Sequence, residues 1–577
     1  MKASDYIVEF LIQHGIHDVF GYPGGMVTHL MDSLDRYKGK IRAHVNYHEQ
    51  ASAMAACGWA EITGLPGVAY ATSGPGATNL LTGIACAYFD SLPCVFITGQ
   101  VNTYEQRGEM GVRQRGFQET DIIPMARPIT KLAFSVRSAS ELPQALEHGF
   151  RTAMEGRPGP VLLDIPMNIS RDELEIRAIP VPGPDTPFIQ EDAEYAAREL
   201  ISALQAAKRP VVLAGHGIHS SKKEDDFLDF IHTAGLPVVT SMNGMDLVPS
   251  DWPERYGMIG AYGARQANYI VNHSDCILSL GSRLDCRQTG VNRSIFAPSA
   301  KLLRVDLDPA ELEYSVHSGQ YSYQVPLESL LPILSQEARK EAWEFSHWRN
   351  CCHALRRTLA RVDEKEPGAK ALEELSALFP EKAVITVDVG QNQVWSAQSL
   401  RVKKRQRVLF SGGMGAMGYS LPAAIGAALA SGGPAFCICG DGGFQMNIQE
   451  LQFIAREKLP VKIILLNNRA LGMIHHFQEM YFSSNYAQTE EGKGYSVPDF
   501  TRIVQAYGIR VVSPEERELA SVFSDKEPAF LEVPLPSNTH VTPKLGMNRP
   551  IHLQEPPLSE ELLEKLEKIC RGEEETL

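Results

Sequence analysis

Three doubly wound α/β domains, each on a parallel sheet, are the fold the sequence predicts, and three observations predict it. Apolar runs of seven to nine residues ending at Gly, Asp, Asn or another turn or polar residue recur along the chain; helix-length segments separate them; and two polar stretches, 181–199 and 333–375, divide the pattern into parts of similar size. Runs this continuously apolar belong to parallel strands covered on both faces, and open sheets of that kind bind ligands at the carboxyl ends of their strands.

In chain order, the first domain (1–180) rests on GVAYATS (67–73), CVFITGQ (94–100) and GPVLLDIP (159–166), with a boundary expected near residue 185. The second (190–335) opens with RPVVLAG (209–215) and continues through PVVTSMN (237–243), DCILSLGS (275–282) and KLLRVDLD (301–308). A polar, helix-rich linker follows at 336–370. The third domain (371–540) carries AVITVDVG (383–390), RVLFSGG (407–413), AFCICGDGG (435–443), VKIILLNN (461–468) and AFLEVPL (529–535), and a Pro-rich, then helical, tail occupies 541–577.

Composition narrows the function. The 577 residues include 55 Lys+Arg against 69 Asp+Glu, a formal charge of −14, which gives no basic footprint for nucleic acid. No apolar run has the roughly 18 residues a membrane span needs. At the start, Asp5 and Glu9 interrupt any export-signal pattern, whereas Ile7, Phe10, Leu11 and His14 read as one helix face. The ten cysteines form no CxxC pair and read as reduced, mostly buried thiols, as in a cytoplasmic protein.

The chemistry concentrates between Gly440 and Asn468. Gly440-Asp441-Gly442 ends one apolar strand and Asn467-Asn468 the next, with 24 residues (443–466) between these elements. A carboxylate and a side-chain amide at neighbouring strand ends suit magnesium, which takes a few protein oxygens and fills its octahedron with phosphate and water. Either residue alone more often caps a helix or makes a turn. A rival reading is a nicotinamide dehydrogenase, because Gly413, Gly415 and Gly418 form GxGxxG after a strand; it leaves Gly442, Gly443 and the Asn pair unexplained. Ser73 to Ala77 lacks the Lys of a phosphate-binding P-loop.

The GDG and NN elements resemble the thiamine-diphosphate-binding signature. Across most of the chain, FGYPGG (20–25), HEQASAMA (48–55), TSGPGATN (72–79), FITGQV (96–101), GFQETD (116–121), GRPGPVLLDIP (156–166), GSRLDCRQTG (281–290), GAMGYSLPAAIGAALA (415–430) and LGM (471–473) resemble the acetohydroxyacid synthase (acetolactate synthase) family, in order. The resemblance implies pyrimidine-binding, central Rossmann-like and diphosphate-binding domains. It implies that Glu49 contacts the aminopyrimidine N1′ and promotes loss of the C2 proton, that Met417 supports the bent cofactor, and that Gly415 accepts a backbone hydrogen bond from the pyrimidine. Asp441, Asn468 and the Ala470 carbonyl would hold Mg2+. Gly24, Gly25, Ser73, Gly76, Asn79, Gly440, Gly442, Gly443 and Met473 would contact thiamine diphosphate. Gln118, and with it Gln100, would face the substrate, in a pocket with Phe117, Met167, Ile474 and Phe477. A non-redox FAD would rest on Arg157, Gly215, Gly217, Gly281, Arg283, Arg287 and Asp306.

Several positions depart from the family. Ala261-Tyr262 replaces the usual Met-His, and Gln324-Val325-Pro326 stands where an acid near the adenosine is expected. The tryptophan that selects a larger ketoacid acceptor is Phe477 here, and the pocket lysine is Met167. The tail differs from the usual ending and is expected to cover the active site, while His475 and His476 read as solvated or core-satisfied. The expected activity is decarboxylation of pyruvate and transfer of the two-carbon unit to a carbonyl acceptor, by default a second pyruvate. The alternative acceptor is a nucleotide-linked ketosugar, and a flavin oxidase and a non-catalytic scaffold are further readings. The active site is expected at the interface of a homodimer, which could pair into a tetramer.

Overall fold

The computed structural model describes residues 1–175, 190–360, 362–516 and 518–573. The expected boundary near 185, and the polar stretch before residue 190, lie outside them. The chain folds into two compact units, one of residues 1–185, 382–393 and 409–537, the other of 186–381, 394–408 and 538–577. No helix among the described residues is long and apolar enough to cross a membrane.

The first unit contains two sheets. One is built from β1 (Asp18–Gly21), β2 (Arg42–Val45), β3 (Gly67–Ala71), β4 (Cys94–Gln100), β5 (Leu132–Ser135) and β6 (Pro160–Pro166), in the order β2-β1-β3-β4-β6-β5, all parallel. The second unit holds β7 (Pro210–Ala214), β8 (Val238–Thr240), β9 (Arg255–Met258), β10 (Cys276–Leu280), β11 (Lys301–Asp306) and β12 (Gln320–Gln324), ordered β12-β11-β10-β7-β8-β9. That is the doubly wound dinucleotide order, with its switch point between β7 and β10. The third sheet, β13 (Val384–Val387), β14 (Arg407–Phe410), β15 (Ala435–Gly440), β16 (Val461–Asn467), β17 (Arg510–Val512) and β18 (Ala529–Pro534), runs β14-β13-β15-β16-β18-β17. Its order repeats that of the first sheet strand for strand.

The three-sheet α/β prediction therefore stands. What the patterning passed over are β1, β2, β5, β9, β12 and β17, strands of three to five residues. Strands β2 and β12 are also largely exposed edges, so they carry no apolar run to read. The stretch 333–375 is helical as expected, with helices Leu327–Ala338, Ser346–Leu359 and Pro367–Ala377.

Within the first unit, the two sheet layers share one apolar core, and the helices Glu49–Thr63 and Ser420–Ser431 cross inside it. Their sequences, rich in Ala and Gly, allow backbone-to-backbone contact. A Cβ on Gly58 would collide with the Ala423 carbonyl, and one on Gly426 with the Ala55 carbonyl. The first helix starts where the His48 ring accepts from Gln50 N (3.1 Å) and stops at Gly64, whose φ of 64° is the left-handed C-cap geometry. That start fixes Glu49 as the first helical residue.

In the second unit the tail packs on the central sheet. Leu545 N donates to Ala261 O (2.6 Å), Gln554 Nε2 to Gly263 O (2.8 Å), and Arg265 holds Gln554 O and Pro556 O. The tail thus closes over the Gly260–Arg265 turn, and its helix Glu560–Arg571 adds Leu566, Ile569 and Cys570 to the same core as Trp348 and Leu355. All ten cysteines are free thiols and nine are buried, as expected; Cys286 is exposed.

Candidate active site

Strands β15 and β16 pair Gly440 with Leu466, so Asp441 and Asn468 leave neighbouring strand ends as the spacing implied. Two consecutive Asx turns shape the second end. Asn467 Oδ1 accepts from Arg469 N (3.0 Å) and Asn468 Oδ1 from Ala470 N (3.3 Å), and Arg469 takes a φ of 54° between them. The Asn468 amide nitrogen is tied to Gln391 Oε1 (3.1 Å), so both ends of its amide are fixed in orientation, the oxygen on the Ala470 turn.

Asp441 is buried, its Oδ1 accepting from Gly442 N (2.8 Å), while Oδ2 is buried without a hydrogen-bond partner among the described residues. Burial pushes its carboxyl up to about 6, against the lowering effect of the Gly442 and Ala470 N–H groups and the Tyr495 hydroxyl. An orphaned carboxylate oxygen in this position is a fit for a hard divalent cation, which supplies the missing positive charge. No three His, Cys, Asp or Glu side chains gather as a metal cluster among the described residues. A set of one carboxylate, one amide and backbone oxygen is the kind of donor set magnesium accepts.

The glycines around Asp441 are needed for close approach. A Cβ on Gly442 would lie 2.8 Å from Leu471 Cδ2 and 2.9 Å from Met417 Cε, and one on Gly443 would lie 2.7 Å from Asp388 Oδ1. Met417 therefore rests its methyl on Gly442. Its turn is clamped by Asp388, whose carboxylate accepts from Gly418 N (3.1 Å), Ser420 N (3.1 Å) and Ser420 Oγ (3.0 Å). Gly415 and Gly418 have φ of 64° and 82°, so the GxGxxG spacing serves this turn. Sequence reasoning missed Asp388, Gln391 and Tyr495. Asp388 follows strand β13 as Asp441 follows β15, so the same strand-end rule would have found it.

In the first domain, Glu49 is 8% exposed and its Oε2 accepts from Asn79 Nδ2 (2.9 Å). A Cβ on Gly76 would lie 3.1 Å from Glu49 Oε1, and one on Gly24 would collide with Thr72, whose Oγ1 accepts from Met26 N (3.2 Å). Gly25 has open space around it. Ser73 Oγ is buried and has no hydrogen-bond partner among the described residues. Gln118, in the left-handed region at φ 63°, packs its Cβ 3.0 Å from the Cβ position of Gly74, so Glu49, Ser73–Gly76, Asn79 and Gln118 form one group.

Gln118 is held there by its surroundings. The Glu119 carboxylate accepts from Arg107 N (2.6 Å), Arg115 N (2.8 Å) and Gly116 N (3.1 Å). Gln100 Nε2 reaches Thr120 O (2.8 Å) and Asp164 Oδ2 (3.2 Å), which makes Gln100 a brace for this loop. Burial pushes the Asp164 carboxyl up to about 7 despite bonds from Thr98 and Gln100.

Three of the expected pocket residues lie at the surface of the chain. Phe117 is 80%, Ile474 55% and Phe477 49% exposed, with Phe477 against Tyr481 and Phe482. Met167 opens the helix Met167–Arg171 and, like Met473, is partly buried. His475, by contrast, is buried, stacked on Tyr486 at 3.8 Å with Nε2 3.3 Å from Glu490 Oε2, but it is not the fully satisfied core histidine expected, since its Nδ1 has no partner among the described residues.

In the second unit, Gly215, Gly217 and Gly281 meet at the β7/β10 switch point. Gly217 N donates to Gly281 O (3.1 Å), and a Cβ on Gly215 would collide with that carbonyl. Arg283 pairs with Asp285 (3.6 Å), Asp306 accepts from Asp308 N (3.0 Å), and the Arg287 carbonyl accepts from Ala261 N (2.7 Å). Arg157 belongs to the other unit, where its Nε donates to Ser91 Oγ (2.8 Å).

Comparison with known proteins adds three family models matched in order: the thiamine pyrophosphate enzyme N-terminal TPP binding domain over residues 1–125, the central domain over 197–324 and the C-terminal TPP binding domain over 388–533. Among curated relatives, the acetolactate synthase isozyme 2 large subunit of Escherichia coli is 36% identical, covering 88% of this chain and 90% of that protein. A probable acetolactate synthase large subunit of Methanocaldococcus jannaschii is 34% identical, covering 92% of each. The chloroplastic acetolactate synthase 1 of Oryza sativa subsp. japonica is 36% identical, covering 94% of this chain and 86% of that protein.

Proposed function

The chain belongs to the acetolactate synthase large-subunit family of thiamine pyrophosphate enzymes, and on that premise we propose how its residues divide the work. It is a thiamine-diphosphate-dependent carboligase that decarboxylates pyruvate and transfers the two-carbon unit to a carbonyl acceptor. Thiamine diphosphate supplies, when bound, the nucleophilic carbon and the electron sink that this decarboxylation requires. The observation that carries the assignment of residues is the buried Asp441 carboxylate with its unpaired Oδ2, one strand end away from the Asn468 turn.

Asp441, Asn468 and the Ala470 carbonyl would hold Mg2+, which would supply positive charge against the cofactor's anionic diphosphate. Asp388 positions the Met417 turn, and Met417 would support the bent cofactor. Glu49, oriented by Asn79, holds the proton at the pyrimidine N1′. Its burial keeps that hydrogen bond away from competing water. Gln118, set by the strained turn beside Gly74, orients the substrate carbonyl.

A second ketoacid is the acceptor that the named relatives favour over a ketosugar. Phe477 in place of tryptophan supports a small one, pyruvate, with 2-acetolactate as product. Glu49 and Asp441 belong to different domains, and the exposed Phe117, Ile474 and Phe477 support a homodimer in which a partner completes the site. FAD is proposed at the β7/β10 switch point as a structural group. Ten free thiols support a reducing compartment such as the cytoplasm.

The test is incubation of purified protein with pyruvate, thiamine diphosphate and Mg2+, followed by acetolactate assay. Acetolactate is expected; carbon dioxide release without it would overturn the acceptor assignment.

A further inference from the structure

The second unit contains a cavity of about 200 Å3 beside the edge strand β9 and the helix Ser346–Leu359. Arg255 and Arg356 line it together with Ser250, Tyr256, Gln266 and Gln398, and no acidic side chain contributes to its wall. It shares no residue with Gly215, Gly217, Gly281, Arg283 or Asp306 at the switch point.

The hydrogen bonding of both guanidinium groups is incomplete. Arg255 donates Nη1 to Ser250 Oγ (3.1 Å) and Nη2 to Met245 O (3.2 Å), but its Nε is buried with no partner among the described residues. Arg356 donates to Pro253 O (2.8 Å), to Arg255 O (3.4 Å) and to His353 Nδ1 (3.1 Å), all neutral acceptors. The carboxylate that acts on Arg255 is Asp246, and it is already engaged by His219 Nε2 (2.8 Å), Arg407 Nε (3.2 Å) and Val408 N (2.9 Å). On the other side, Glu254 stands 4.0 Å from His353. Two cations thus line one cavity that has no acidic lining residue, with the Asp246 carboxylate committed to His219, Arg407 and Val408.

Buried donors left unmade are costly, so such a donor at a polar cavity marks a missing acceptor. The volume is well above the ~10–15 Å3 that a water centre needs, so it admits a larger group. Guanidinium groups match the oxygen pairs of phosphates and carboxylates. Gln266 Nε2 and Gln398 Nε2 are turned to Tyr256 O (3.0 Å) and Tyr262 O (2.9 Å), which leaves their amide oxygens for a ligand hydroxyl.

We propose that this cavity is a binding site for a small organic oxyanion, its phosphate or carboxylate group held by Arg255 and Arg356. The test is calorimetric titration of the full-length protein, saturated with thiamine diphosphate, Mg2+ and FAD so that those sites are filled. Inorganic phosphate is the probe in one arm and malonate in a parallel arm, at constant ionic strength. Saturable binding of one probe per chain is expected, weakened at least about ten-fold in Arg356→Gln and in Arg255→Gln, with partial retention in Arg255→Lys. The tighter arm identifies the ligand class. Should Arg255→Gln fail to melt cooperatively, Arg356→Gln, on a helix, decides. No saturable binding of either probe, or binding unchanged by these substitutions, overturns the site; so does binding that is seen only when FAD is omitted, which would assign the cavity to the flavin.

Discussion

Asn79 Nδ2 donates a 2.9 Å hydrogen bond to Glu49 Oε2, so the carboxylate assigned to the cofactor pyrimidine has one oxygen fixed from within its own domain. Replacing Glu49 by Gln keeps the shape and removes the charge. C2 proton exchange of bound thiamine diphosphate, followed by NMR, is expected to slow at least about 100-fold, the low end of general acid–base contributions, with cofactor affinity largely kept. Unchanged exchange would remove Glu49 from this role.

Asp441→Ala removes the charged member of the proposed metal set. The Mg2+ concentration needed for half-maximal thiamine diphosphate binding is expected to rise at least about ten-fold, read from tryptophan fluorescence titrations. Asp388→Asn, which touches the Met417 turn and not the metal, is expected to leave the Mg2+ requirement within about two-fold. Equal effects of both substitutions would sink the distinction between ligand and positioning residue.

The crossing of helices Glu49–Thr63 and Ser420–Ser431 predicts a steric result. Gly426→Ala drives a methyl group into the Ala55 carbonyl and is expected to cost about 1–3 kcal/mol or more, with a lower Tm, because backbone cannot yield as a side chain does. Gly433→Ala, whose added methyl would meet only Ser431 Oγ at 4.0 Å, serves as the control and is expected to be near neutral. Similar melting of the two variants would contradict the close packing.

Asp164 predicts a pH dependence with a definite sign. Its carboxyl is raised to about 7 in the fold, whereas an unfolded Asp titrates near ~3.9. The folded state therefore keeps a proton that the unfolded state has lost, and this stabilisation is fully present below about pH 4 and disappears as pH rises through about 7. Glu450, also raised to about 7 by burial, acts in the same direction. Urea unfolding at pH 5 and pH 8 is expected to show lower stability at pH 8. Asp164→Asn should reduce the difference by roughly 1–4 kcal/mol. A pH dependence that Asp164→Asn leaves intact would rule out this residue as its source.

The sequence by itself determined the three α/β domains, because parallel strands covered on both faces read as nearly continuous apolar runs, as β3, β7 and β15 do in the first, second and third sheets. It determined the strand-end positions of Asp441 and Asn468 for the same reason, and motif order identified Glu49 and Met417. Only the tertiary structure decided how these groups are supported. That Asp388 clamps the Met417 turn, that Gln100 braces the loop of Gln118 through Thr120, and that the tail closes over Ala261 to Gly263 all depend on contacts between residues far apart in the chain. Local composition carries no trace of such contacts. The same holds for Arg255, an ordinary arginine in the sequence, whose unpaired Nε exists only because the fold withdraws it from water and commits Asp246 elsewhere.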